Sequence, residues 1–207
     1  MINVKYFVTT GPAAENCYLI YNEENLLVVD PGNDAELIKK YIQELNKKPV
    51  AILLTHTHYD HIGAVEEIRR AYGIPVYVSP LEQEWLGNPQ LNLSGMGGQP
   101  IIVSPAEQEF TMTQYTLGGM TFEVVPTPGH SIGGVSFIFH SDRFVVTGDA
   151  LFAGSIGRTD LFTGNTAQLL ESVQTQLFTL PADYTAYPGH RGPTTIGQEI
   201  ATNPFFN

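Results

Sequence analysis

Three histidines and one aspartate fall within six residues of this chain, in the segment Thr55-His56-Thr57-His58-Tyr59-Asp60-His61. The segment lies between an apolar stretch at residues 50–55 and an amphipathic helical pattern at residues 62–72. Residues two apart at the end of a strand point to the same side, so His56 and His58 are expected to project together. Neutral imidazoles and a carboxylate are ligands for zinc and similar metals. Because burying this many polar groups without a partner would be costly, the segment predicts a metal site.

Three further potential ligands, His130, Asp149 and His190, follow predicted strands. His130 and His190 are each preceded by Pro-Gly, a turn that directs the next side chain away from the end of a strand. The two groups together hold seven potential ligands, more than the four that one tetrahedral zinc uses. Two metal ions that share a bridging carboxylate would use all seven. The sixth histidine, His140, lies in a predicted hairpin and is expected to be an ordinary hydrogen-bonded residue.

Strand and helix patterns alternate between turn residues along the whole chain, which indicates an α/β or α+β fold. We predict strands at 2–9, 17–22, 26–30, 50–55 and 76–79, and helices at 34–45, 62–72 and 80–86. Asn33 or Asp34 is the expected N-cap of the first helix, and Gly73 is expected to end the second. Each half of the chain contains a predicted hairpin whose second strand ends in an aspartate, at Asp30 and at Asp149.

Two related β-rich halves are expected to pack as two sheets face to face with helices outside. With no linker rich in proline, serine or charge, residues 1–207 are predicted to form a single domain. Residues 87–104 are rich in glycine, proline and asparagine, and they are either a lid or binding loop or a plain surface excursion.

The composition excludes several classes of protein. The net charge of −11 argues against a nucleic-acid partner, because binding to phosphates requires a positive surface. No apolar run approaches the roughly 18 residues of a membrane span, and the start of the chain does not resemble an export signal. The single cysteine, Cys17, excludes an internal disulfide and is expected to be a small buried hydrophobic residue. A cytoplasmic protein with no membrane or nucleic-acid partner is expected.

The histidine and aspartate pattern resembles the metallo-β-lactamase superfamily, whose core motif is His-x-His-x-Asp-His. This resemblance implies a four-layer αβ/βα sandwich and two divalent metal ions, zinc in the first instance with iron or manganese as alternatives. By resemblance, one metal would be held by His56, His58 and His130, the other by Asp60, His61 and His190, with Asp149 as the bridge. Asp60, His61 and Asp149 would take part in catalysis. Asp30 would steady the ligand loop, and the alternative for it is a turn-forming aspartate before Pro31-Gly32.

Within that superfamily, the segment 154–164 resembles the short bacterial type of glyoxalase II, a hydroxyacylglutathione hydrolase of methylglyoxal detoxification. The resemblance implies a thioesterase that cleaves S-lactoylglutathione-type thioesters with a metal-bound hydroxide. Arg158 and Phe162 would contact the substrate, and a structural ion pair between Arg158 and Asp160 is the alternative. The longer enzymes add a helical domain with basic glutathione contacts, whereas no Lys or Arg follows Arg191 here, so the thiol carrier stays open.

Two other functions remain open at this point. One is a persulfide (sulfur) dioxygenase with a single ferrous iron, for which His56, His130 and Asp149 could supply two imidazoles and one carboxylate. The other is a metal-binding protein without catalytic activity. β-Lactamases of this fold generally have a cysteine in the second metal site and an export signal, and neither feature is expected here. The sequence does not predict an oligomeric state.

Overall fold

Two six-stranded sheets form the framework of the chain, one in each of two units of a computed structural model that describes residues 1–11 and 13–207. The first unit comprises Met1–Phe110 and Thr116–Met120, and the second comprises Thr111–Tyr115 and Thr121–Asn207. The mixed α/β fold with two main sheets is as predicted, while the assignment of a single domain stays a prediction. In the described part of the chain, every helix is too short or too polar to cross a lipid bilayer.

The first unit is built on parallel strands that end at one edge of its sheet. Its elements are β1 (Asn3–Val8), β2 (Asn16–Tyr21), β3 (Asn25–Val29), α1 (Ala35–Leu45), β4 (Lys48–Leu53), α2 (Tyr59–Ile62), α3 (Val65–Tyr72), β5 (Val76–Val78) and β6 (Gln108–Glu109). The strand order follows the chain from β1 to β6, and β3, β4, β5 and β6 are parallel. The carboxyl ends of parallel strands share an edge, so the residues that follow β3, β4 and β5 gather there.

The helix predicted over 62–72 is wrong at its start, because two helices, α2 and α3, cover this region. The backbone N–H of Ala64 bonds to the carbonyl of Pro31 at 2.9 Å rather than continuing the helix. A Cβ on Gly63 would lie 2.3 Å from the carbonyl oxygen of Gly32, so the two segments meet closely at this break. Gly73 ends α3 with φ of +62°, as predicted.

The predicted cap of α1 is correct in position but not in its contact. Asp34 is the N-cap residue, yet its side chain makes no cap hydrogen bond. Instead, its two carboxylate oxygens accept from the backbone N–H and the hydroxyl of Thr10, at 2.5 Å each. Asp34 therefore fastens the loop after β1 to the start of α1.

Apolar faces of the helices and strands enclose the core of the first unit. Ile38 of α1 and Ile68 of α3 are fully buried in a cluster that also contains Val28 and Ile52. Each such side chain contributes about 1.5–3 kcal/mol by leaving water. Cys17 is fully buried in the same cluster, and burial raises the pKa of its thiol well above the usual value, as expected of a small hydrophobic residue.

The second unit has a comparable edge. The elements of this part of the chain are β7 (Gln114–Leu117), β8 (Met120–Pro126), β9 (Val135–Phe139), β10 (Phe144–Gly148), β11 (Leu151–Phe152), β12 (Ser155–Ile156), α4 (Thr166–Ser172), a π-helical turn (Val173–Leu177), β13 (Thr185–Pro188), β14 (Thr194–Thr195) and α5 (Ile196–Thr202). The end of β7 and the first residue of β8 belong to the first unit. β9 is antiparallel to β8 and β10, and β13 is parallel to β10. Hence β8, β10 and β13 run in one direction, and their carboxyl ends carry His130, Asp149 and His190.

Candidate metal centre

In the first unit, the loop between β4 and α2 gathers the predicted histidines. The ring of His56 lies 4.8 Å from that of His58 and 4.1 Å from that of His61, measured between centroids. All three histidines are buried, and Asp60 is half-buried at the start of α2. Ligand atoms of Asp30, His56 and His61 lie within 4.8 Å of one another. The side chains of the 56–61 cluster thus converge on one small volume.

Asp30 sets the orientation of two of these rings. Its carboxylate accepts from the Thr55 backbone N–H at 2.8 Å and from the Thr55 hydroxyl at 2.6 Å, and it lies 2.9 Å from Nδ1 of His61. Because a carboxylate only accepts, Nδ1 of His61 carries the proton and Nε2 presents a lone pair. The Thr55 hydroxyl donates its hydrogen bond to Asp30, so its oxygen accepts from Nδ1 of His56 at 3.1 Å. Both rings therefore offer Nε2 as a metal ligand.

The second unit orients His130 in the same manner. Nδ1 of His130 donates to the backbone carbonyl of Arg158 at 2.7 Å, which leaves Nε2 as the lone-pair nitrogen. That Nε2 lies 3.3 Å from Oδ2 of Asp149, and Nε2 of His190 lies 3.4 Å from the same oxygen. Two imidazoles thus converge on one buried carboxylate.

The chemistry of these donor sets fits divalent metal ions. In the second unit, Nε2 of His130 and Oδ2 of Asp149 are both acceptors and face each other at 3.3 Å. In the first unit, Nε2 of His61 faces Oδ2 of Asp60 at 3.6 Å in the same way. With the imidazoles neutral, a divalent cation placed between the two acceptors would satisfy both, and imidazole with carboxylate is a set that zinc, iron and manganese accept.

Glu82 is a residue of this region that the sequence analysis missed. Its side chain is fully buried, and Oε2 accepts from both the backbone N–H of Thr57 at 2.7 Å and the hydroxyl of Thr57 at 2.9 Å. Asp30 holds Thr55 and Glu82 holds Thr57, so the loop that carries His56 is fixed on both sides. The signal that could have found Glu82 is its position just after β5, the next parallel strand along the sheet.

Arg158 and Phe162, the two predicted substrate contacts, lie on the surface of the second unit. The Arg158 guanidinium binds the Asp160 carboxylate through two hydrogen bonds of 2.7 and 2.8 Å, so the predicted ion pair is present. Both members of the pair are exposed. Phe162 is 56% exposed. Contact of Arg158 and Phe162 with a substrate stays a prediction.

The Arg158–Asp160 pair leads to a pH prediction. Hydrogen bonding to Arg158 lowers the pKa of Asp160 to about 2, so the carboxylate stays ionised and paired until the pH falls through that value. In Arg158→Gln, we expect the pKa of Asp160 to return towards its ordinary value of about 3.9. An NMR titration of the Asp160 side chain between pH 6 and pH 3 measures this. A wild-type titration midpoint near 4 would contradict the pair, and Arg143→Gln, which removes a different surface pair, is the control.

Comparison with known proteins identifies relatives over nearly the whole chain. The family model described as "Metallo-beta-lactamase superfamily" matches residues 10–190. A probable metallo-hydrolase of Streptococcus pyogenes is 50% identical over 201 residues, which cover 94% of this chain and 87% of that protein. The hydroxyacylglutathione hydrolase GloC of Haemophilus influenzae is 36% identical over 197 residues, which cover 93% of each chain.

Solved structures give the same result for the fold. The crystal structure of the BLEG-1 B3 metallo-beta-lactamase superposes with a TM-score of 0.95 at 41% identity. The superposition covers 99% of this chain and 100% of that one. The protein TTHA1623 in a di-iron-bound form superposes with a TM-score of 0.84 at 36% identity, over 97% of this chain and 100% of that one.

Proposed function

This chain belongs to the metallo-beta-lactamase superfamily, and on that premise we propose that it is a metal-dependent hydrolase of thioesters of the S-lactoylglutathione type. The observation that carries the proposal is the repeated geometry in which a histidine of fixed tautomer faces a carboxylate, His61 with Asp60 and His130 with Asp149. The 36% identity to a hydroxyacylglutathione hydrolase supports the choice of substrate.

For the metal ions, we propose the arrangement that the superfamily resemblance implies. The seven ligands are His56, His58 and His130 for one ion, Asp60, His61 and His190 for the other, and Asp149 between them. The di-iron form of a relative supports two ions. Zinc is our first choice, and iron and manganese accept the same donors. We also propose that the protein acts in the cytoplasm on a small molecule rather than on nucleic acid, which its net charge of −11 disfavours.

The residues of the chain have separate tasks in this reaction. Bound divalent ions would polarise the thioester carbonyl and lower the pKa of a water towards about 7. Asp30 holds the ring of His61 and, through Thr55, that of His56, while the Arg158 carbonyl holds the ring of His130. A thiol has a pKa near 8.5, so the leaving group departs as thiolate without a dedicated general acid. Neither a serine nor a cysteine nucleophile is needed.

A second candidate activity is β-lactam hydrolysis, which the 41% identity to a B3 metallo-beta-lactamase favours. β-Lactamases of this fold generally have a cysteine in the second metal site and an export signal, and neither is expected here. The 41% identity to a B3 metallo-beta-lactamase outweighs those two features. We therefore rank β-lactam hydrolysis second and include it in the test.

The experiment is a set of parallel assays on one preparation of measured metal content. We expect hydrolysis of S-lactoylglutathione, with little turnover of a chromogenic cephalosporin and no oxygen uptake on glutathione persulfide. Oxygen uptake with about one iron per chain would instead establish the dioxygenase. Metal-loaded protein that is inert in all three assays would make it a non-catalytic metal-binding protein and overturn the proposal.

A further inference from the structure

A cavity of about 550 Å³ lies within the first unit, beside the candidate metal ligands. Part of its lining comes from the loop after β1 (residues 9, 11 and 13–15) and from Tyr59 and Asp60 of α2. The rest comes from residues 93–94, 96–99 and 101, together with Gly32, Asn33 and Gly63. Ligand pockets commonly measure about 300–1,000 Å³, so the cavity is large enough for a substrate group. Part of the segment 87–104, whose role the sequence left open, thus forms a wall of a pocket.

The walls of this cavity favour an uncharged, apolar occupant. Leu93, Met96 and Ile101 contribute apolar surface to it. Among the described lining residues none is Lys, Arg or His, and the ionisable side chains among them are Glu15, Asp60 and Tyr59. An anionic group, such as a carboxylate of glutathione, would find no basic side chain to bind among these residues. An aliphatic group needs none.

Glu15 adds one polar contact at the wall. The residue is 1% exposed, and its Oε2 accepts from the Thr9 hydroxyl at 3.1 Å. Its Oε1 has no hydrogen-bond partner within residues 1–11 and 13–207. A buried polar atom without a hydrogen bond costs stability. Oε1 is shielded from solvent here, so a rotation of the Glu15 side chain towards the cavity would let a ligand hydroxyl donate to it.

Building on the proposed thioesterase function, we propose that this cavity receives the acyl group of the substrate and that Glu15 hydrogen-bonds a hydroxyl on it. The position of Asp60, a proposed metal ligand, in the cavity wall brings that acyl group next to the reacting centre. A three-carbon lactoyl group would leave most of the volume empty and would forfeit apolar contacts. The preferred substrate is therefore a longer aliphatic hydroxyacyl thioester.

The first test varies the acyl chain on an uncharged thiol. We compare the lactoyl, hexanoyl and 2-hydroxyhexanoyl thioesters of N-acetylcysteamine, and we expect kcat/KM to be at least about tenfold higher for 2-hydroxyhexanoyl than for lactoyl. Gly98→Leu fills the cavity from a position where a Cβ makes only an ordinary 3.8 Å contact, and it should remove this preference. Gly87→Leu is the matched control, because it lies outside the lining and its Cβ is equally unhindered at 3.7 Å.

The second test concerns Glu15. We expect Glu15→Leu to abolish the preference for 2-hydroxyhexanoyl over hexanoyl, and Glu15→Gln, which keeps a hydrogen-bonding group, to retain most of it. Should Glu15→Leu fail to fold, the Glu15→Gln and Gly98→Leu variants still test the acyl pocket. If Gly98→Leu treats every chain length as the wild type does, the acyl pocket is wrong although the thioesterase stands.

A binding experiment separates this inference from the proposed function. If no thioester is cleaved, the thioesterase fails, and titration calorimetry with 2-hydroxyhexanamide tests the cavity alone. Wild type and Gly87→Leu should bind the amide, and Gly98→Leu should bind it at least about tenfold more weakly. Equal binding by all three proteins, or none by the wild type, would overturn the pocket assignment.

Discussion

Asp149→Asn is expected to lower kcat/KM for thioester hydrolysis at least about 1,000-fold, which corresponds to about 4 kcal/mol of transition-state stabilisation. The buried Asp149 carboxylate has His130 at 3.3 Å and His190 at 3.4 Å from the same oxygen. An amide in its place carries no charge, and if its NH₂ group faces the two imidazoles it donates where a cation should bind. The bridging position would then be lost. Metal content by mass spectrometry should fall together with the activity.

A matched control shows whether the effect belongs to the site. Asp183→Asn makes the same chemical change on the surface of the second unit, where it removes an ion pair with Arg143. Exposed pairs contribute at most about 1 kcal/mol, so this variant should keep full activity and metal content. Circular dichroism should show both variants folded. Wild-type activity in a folded Asp149→Asn protein would remove Asp149 from the proposed centre.

The parts of the site that the sequence predicted are those encoded locally. His56, His58, Asp60 and His61 are neighbours in the chain, so the end of one strand and the start of one helix bring them together. The predicted hairpins also formed, and their second strands, β3 and β10, are followed by Asp30 and Asp149. His140 was expected to be an ordinary hydrogen-bonded residue, and its Nε2 lies 2.7 Å from an exposed carboxylate of Glu123.

The residues that hold the ligands in place could not be predicted in the same way. Glu82 contacts Thr57 across 25 positions of the chain, and the carbonyl of Arg158 contacts His130 across 28. Such contacts depend on strand order and on backbone atoms, which carry no side-chain signature. The break between α2 and α3 has a similar origin, because the N–H of Ala64 bonds to Pro31, outside the local helical pattern. Tertiary contacts override local propensity at these points.

Two glycines are expected to be essential because they let a second segment pack directly against a ligand-bearing backbone. A Cβ on Gly157 would lie 1.9 Å from the carbonyl oxygen of Asp149 and 3.1 Å from Nδ1 of His130. A Cβ on Gly32 would lie 1.8 Å from the carbonyl oxygen of Asp60. Real Cβ atoms do not approach backbone this closely, so either alanine variant must push apart the glycine segment and the residue that carries a proposed ligand. Each unit thus positions one carboxylate by the same device.

We expect Gly157→Ala and Gly32→Ala each to cost about 1–3 kcal/mol of folding stability, as overpacking does, and to weaken metal binding about 10- to 100-fold. Thermal unfolding of the metal-free protein measures the first effect, and competition with a chelator measures the second. Gly192→Ala and Gly87→Ala are controls, because a Cβ meets nothing within 4 Å at Gly192 and only a 3.7 Å contact at Gly87. Lower stability with wild-type metal affinity in Gly157→Ala would mean that Gly157 serves packing alone and does not position the proposed bridge.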